Sequence, residues 1–319
     1  VITIDNGTLR LTLNPNVGGT ITSIIHLPSG LSVLGEVPWD AQTRPLATFA
    51  ARDEPEWLTR YTGGWPLLFP NAGDACNFNG VFHGFHGEAS ISPWLASTAG
   101  CTISLSRRFF TVPVLMRRTV SLSNDEVLIN EDVELEGTTP IEVMWGHHAT
   151  FGSDLLAGPV EITSSARHVT ADDTFDPATN SIHPGATGAL YAMPGKNGVA
   201  DISHPAAPLA ALLYLESFDV AWAAIRRLDN AVAVALAWDS ERFPCAWAWL
   251  ELAGTSDAPW HGRAKLIGLE PNTTRSAYGL AQAKATGGNL LRLEPNTHET
   301  TQVKLRVFRP AGPVRSYFS

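Results

Sequence analysis

The chain has 319 residues, enough for two ordinary domains or one large β domain, and its 44% hydrophobic and 17% charged residues exclude a disordered polymer. Lys and Arg number 22 against 31 Asp and Glu, a formal charge of -9, which lacks the basic excess that a phosphate backbone demands, so nucleic acid is not an expected partner. No run approaches the ~20 apolar residues of a membrane span, and Cys76, Cys101 and Cys245 are scattered with no CxxC spacing, so the expectation is a soluble, cytoplasmic chain with reduced thiols and no membrane partner.

Gly at 27 positions and Pro at 22 leave little room for long helices. Apolar residues alternate at Ile2 and Ile4, then at Leu9, Leu11 and Leu13 after the Asn6-Gly7 turn signal, and again at Ile21 and Ile24, which reads as an antiparallel meander. Alternation resumes over residues 101–110, 116–122, 127–135 beyond the Asn124-Asp125 turn, and 141–145. Further strands are expected over 209–215, 220–226, 245–252, 263–269 and 301–308, while 232–238 is apolar throughout and fits a doubly buried strand or a short helix. Helical turns have room at 95–105 and 281–287. Residues 170–205 crowd turn dipeptides together and read as a long surface excursion, either bordering a ligand site or decorative. With no repeat and no linker, residues 1–319 form one expected domain.

Three clusters concentrate His, Glu, Trp and Gly. The first runs from Gly63 through Asn71 and Asp74 to His83, His86-Gly87, Glu88 and Trp94; its glycines admit close backbone approach and its imidazoles offer neutral donors and acceptors. The second is Trp145-Gly146-His147-His148-Ala149-Thr150-Phe151, where a continuing strand turns His147 and His148 to opposite faces, so that one of them at most shares a given cleft. The third, Leu269-Glu270-Pro271, places a carboxylate at a strand end, where it suits a general base. No cluster has the i, i+2 spacing of a strand-borne ligand pair and the cysteines complete no zinc pattern, so no metal is expected. Trp247 and Trp249 share one sheet face, as core or as a platform beneath a sugar, with core the commoner outcome.

In this order the clusters resemble the aldose 1-epimerases, or galactose mutarotases. His86-Gly87 through Trp94 is similar to that family's first His-Gly element, His148-Ala149-Thr150-Phe151 to its second histidine segment, with Ala149 and Thr150 departing from the pattern, and Leu269-Glu270-Pro271 to its base. The resemblance implies an all-β fold, a large antiparallel β-sandwich with few short helices, binding a small-molecule sugar as monomer or homodimer without a cofactor. It implies interconversion of α and β anomers, with Glu270 as the base taking the anomeric proton, His148 as the acid protonating the ring oxygen, and His86 hydrogen-bonding near that oxygen. Asn71, Asp74, Glu88 and Trp249 are the expected substrate contacts, with His147 and His83 as the adjacent alternates. The family's substrate-orienting arginine has no clear counterpart. The hexose-6-phosphate epimerases share an approach like Gly64 to Pro70, but Ser90 stands where their arginine would face a phosphate; this favours a non-phosphorylated aldose, with Arg52, Arg60 and Arg263 in reserve for an acidic one. The competing class is a non-catalytic carbohydrate-binding protein on the same fold.

Overall fold

The structure, a computed structural model, describes residues 1–42 and 49–317. Two eight-stranded antiparallel sheets carry it. The first runs Val160–Ser164, Ala221–Arg227, Ala233–Trp238, His298–Phe308, Glu126–Leu135, Val114–Ser123, Thr102–Arg108, Leu95–Ala99. The second is built on Thr187–Gly188, His168–Ala171, Leu209–Glu216, Cys245–Leu252, Lys265–Asn272, Gly146–His147 and Leu67–Leu68, with Ala149–Phe151 also pairing to Lys265–Asn272. A four-stranded meander, Ile2–Asp5, Leu9–Asn14, Thr20–His26 and Leu31–Ser32, leads into the second sheet through bridges of Ile21 to Trp65 and Leu34 to Phe151.

Period-2 patterning explains the sandwich. Alternate residues of each long strand enter one continuous core: Val127, Ile129, Val133 and Leu135 from the first sheet meet Leu213, Ala248, Ile267 and Leu269 from the second. Asn124, at positive φ, closes the tight hairpin between Val114–Ser123 and Glu126–Leu135. The two-way segment around 232–238 is the strand Ala233–Trp238, paired on both sides and buried. The space for a helical turn at 95–105 is instead the hairpin Leu95–Ala99 and Thr102–Arg108, whereas Gly279–Ala285 is helical. Residues 170–205 are more than a surface excursion, since Ile182, Met193 and Ile202 belong to the main core. Among the described residues no helix is long and apolar enough to cross a membrane.

The sandwich's outer face on the second sheet positions the site. Along Lys265–Asn272, Ile267 and Leu269 point into the core, which turns Leu266, Gly268 and Glu270 outward. Along Cys245–Leu252 the same alternation turns Trp247 and Trp249 outward, and the register sets Trp247 against Glu270 and Trp249 against Gly268. Tyr214 and Leu212 continue these two rows on the next strand.

Candidate active site

His148 and Glu270 meet because Ala149 pairs with Leu269, so the preceding residue of one strand lies beside the following residue of the other. His148 Nε2 stands 3.7 Å from Glu270 Oε1. The Glu270 side chain folds back over Gly268, where a Cβ would fall 2.1 Å from Oε1; glycine is what leaves the carboxylate its seat. The carboxyl is 1% exposed and Oε1 has no hydrogen-bond donor among the described residues. Burial therefore pushes Glu270 well above the ordinary carboxylate range. Burial also lowers His148, to about 4, so its imidazole is neutral at neutral pH. That corrects the expectation of an imidazolium and a carboxylate each near its ordinary value: desolvation penalises both charged forms.

His148 is braced from behind. Its Nδ1 lies 2.9 Å from the Thr150 hydroxyl, which accepts a hydrogen bond of 2.7 Å from the buried Tyr61 hydroxyl. His86 reaches the same space from the loop that follows the strand pair Cys76–Phe78 and Val81–His83, its ring centred 5.2 Å from that of His148. The Gly73 backbone N–H donates to His86 Nδ1 at 3.0 Å, which leaves the ring proton on Nε2. Burial first, and the neighbouring His148 second, hold His86 well below the ordinary histidine range. Gly87, at φ 75°, fits against the Phe69 and Asn71 carbonyls, where a Cβ would come within 2.5 Å and 2.6 Å.

These three groups line a cavity of about 160 Å³. Trp57, Trp247, Trp249 and Trp260 are among its walls, with Asp74 and Glu54 as its further carboxyl groups. Trp247 and Trp249 are thus outward-facing walls, not sandwich core. Trp57 comes from the helix Glu54–Leu58, whose start is fixed by Asp53 accepting from the Glu56 N–H at 2.9 Å. Phe175 enters from the excursion, where Asp172 accepts from the Phe175 N–H at 2.6 Å and from the hydroxyls of Tyr214 and Tyr278. Helix Glu54–Leu58, Phe175 and Trp260 were not singled out from the sequence; the Asp53-Glu54-Pro55 start signal was there to find the first.

Four expected contacts lie elsewhere. His147 points into the sandwich, its Nδ1 accepting from Trp65 Nε1 at 3.1 Å and its Nε2 3.2 Å from Glu131, which also pairs with Arg118. Asn71 is consumed by backbone: its amide donates to the Asp74 and Gly84 carbonyls and its oxygen accepts from the Leu280 N–H. Glu88 is buried under residues 110–111, accepting from the Phe110 and Thr111 N–H groups and pairing with Arg107. His83 is buried and does not line the cavity. Arg52 pairs with Glu56 on the surface, and neither Arg60 nor Arg263 lines the cavity. Three potential metal ligands, Asp132, Glu134 and His298, gather within 4.8 Å, but on the first sheet, where both carboxylates already pair with Arg117.

No family model and no curated protein matches the sequence. Solved structures do. A galactose mutarotase-like protein from Lactobacillus casei superposes with a TM-score of 0.68 at 15% identity, over 96% of this chain and 99% of that one. The fold is the galactose mutarotase-like sandwich. A mutarotase-like protein from Clostridium acetobutylicum matches with a TM-score of 0.64 at 18% identity, over 97% of this chain and 95% of that one. The GalM/aldose epimerase homologue from Caenorhabditis elegans gives 0.62 at 15%, over 97% and 98%. On this mutarotase-like fold the cavity occupies the outer face of the second sheet.

Proposed function

We propose that the protein is an aldose 1-epimerase acting on a non-phosphorylated sugar. The observation that carries this reading is the pairing of Glu270 and His148 at 3.7 Å on the floor of a tryptophan-walled cavity. Anomer exchange needs a proton removed from the C1 hydroxyl while another is delivered to the ring oxygen, so that the ring opens, the aldehyde rotates and closure occurs on the other face. Glu270 and His148 are the two groups placed to pass that proton. Burial favours the neutral form of each group, raising the carboxyl and lowering the imidazole. Sugar hydroxyls donating to the carboxylate stabilise the alternative in which Glu270 is the base and His148 the acid. Opening and closure then pass the proton in opposite senses, with no net charge gained in a low-dielectric site. His86, neutral and with its proton on Nε2, donates a hydrogen bond to the sugar. The indole faces suit the apolar faces of a pyranose, and the absence of Lys and Arg from the described lining disfavours a phosphate or carboxylate substituent.

Freshly dissolved α-glucose, α-galactose and deoxy aldoses, followed by polarimetry or NMR, test this. Acceleration that drops by 10²–10⁴-fold in Glu270→Gln is the expected result. Sugar binding without acceleration would instead make the chain a carbohydrate-binding protein.

A further inference from the structure

We propose that the cleft continues beyond the anomer site into a second sugar subsite, so that the ligand is the reducing end of a disaccharide or longer oligosaccharide. This rests on the reading of the Glu270 cavity as an anomer site. A second cavity, of about 280 Å³, adjoins the first and shares Glu54, Leu58, Phe175, Trp249 and Trp260 with it. The five shared side chains lie between the two volumes, and a ligand reaching past them would occupy both as one groove.

The groove has a direction. Ring contacts lead outward from the proton-transfer pair: His148 to Trp249 at 5.7 Å between centroids, then Trp249 to Trp260 at 5.5 Å. The floor is the strand Cys245–Leu252, on which Trp247 lies against Glu270 and Glu251 is four residues further on the same face. At ~3.3 Å per residue the far end stands ~13 Å from the Glu270 row, room for two rings end to end.

The chemistry of the outer cavity matches a second sugar. Trp249, Trp260 and Phe175 offer aromatic faces, and Glu54 and Asp257 offer carboxylates as acceptors for hydroxyls. Glu251 is committed to the turn, accepting from Gly254 N, Thr255 N and the Thr255 hydroxyl. No Lys or Arg lines either cavity among the described residues, which disfavours an anionic extension. The inner cavity alone falls short of the ~300–1,000 Å³ of ligand clefts, and the outer one brings the groove into that range.

The test compares substrates with the same reacting ring: glucose, and freshly dissolved maltose, cellobiose and gentiobiose, each with glucose at its reducing end. At least one disaccharide should show kcat/KM ten-fold or more above glucose, expressed in KM. Ala258→Phe, which fills the outer cavity, should return that ratio to about one, and Asp257→Ala should lower it. Tryptophan fluorescence titration of the same sugars reads binding independently of turnover. Glucose equilibrated as well as every disaccharide, or bound as tightly, overturns the second subsite and leaves the epimerase reading standing. Tighter disaccharide binding with no anomer exchange of any sugar supports the subsite and overturns the epimerase reading.

Discussion

Replacing Glu270 by Gln should stabilise the protein by an amount that grows with pH, while sharply reducing the proposed turnover. The carboxyl is 1% exposed, Oε1 lacks a donor, and its nearest base, His148 Nε2, stands beyond hydrogen-bond reach at 3.7 Å. Folding therefore raises the carboxyl well above its ordinary value of 4.5. A carboxyl whose folded value exceeds its unfolded one costs nothing below the unfolded value. Above it, the unfolded chain ionises first and stability falls by up to ~1.4 kcal/mol per pH unit, until the folded carboxyl ionises as well. Gln keeps the shape and removes the titration. Urea unfolding of both proteins at intervals from pH 4.5 to 8 should show the gap in unfolding free energy widening at up to that slope and then levelling. His148 is neutral in the fold across this window and titrates in the unfolded state of both proteins, so its own effect cancels in the difference. A gap that stays constant with pH would refute the claim that burial holds the proton on Glu270.

Gly268→Ala should leave the fold in place and cut anomer exchange by about 10²-fold, because its Cβ would fall 2.1 Å from Glu270 Oε1 and force the carboxylate off its seat; steady-state rates beside a thermal melt check it. Acid should destabilise the protein through His148: the unfolded imidazole takes a proton near 6.5 and the folded one only at about 4, so about 3 kcal/mol is lost as pH falls between those values. That drop should shrink by a similar amount in His148→Asn, read by urea midpoints at pH 7 and pH 4. Glu88→Ala should cost about 3–5 kcal/mol by stranding Arg107 and the Phe110 and Thr111 N–H groups, with the KM of the folded fraction unchanged, since Glu88 lies outside the cavity.

What was legible in the sequence follows from how far each signal travels along the chain. Strands announce themselves locally, through side chains alternating every second residue, and so does the opposition of His147 and His148. Glu270 is legible for the same reason, as the outward residue of a strand whose inward ones, Ile267 and Leu269, are apolar. Glu88 and Asn71 look like site residues because they are polar groups in a Gly-rich loop, yet, Arg107 and the Thr111 hydroxyl apart, their partners are backbone N–H and carbonyl groups: residues 110–111 for Glu88, and Asp74, Gly84 and Leu280 for Asn71. Backbone groups carry no residue-type signature, so this commitment is invisible until the chain is folded.

The cavity walls obey the same logic. Trp57, Phe175 and Trp260 come from three separate connections, and only the packing of those connections over the second sheet brings them together. Trp247 and Trp249 were ambiguous because a tryptophan pair at i, i+2 is the same pattern whether it faces core or cleft. The ambiguity is settled by the residues between and beyond them, since Ala246, Ala248 and Leu250 take the core side and leave the indoles no place but the outer face. On the outer face Trp247 packs into a second buried cluster with Tyr214, Leu280 and Ala283, and both indoles line the cavity. The strand Cys245–Leu252 is thereby shaped by the groove along which its tryptophans lie, and so is the glycine at 268 that faces Trp249 and gives Glu270 its room.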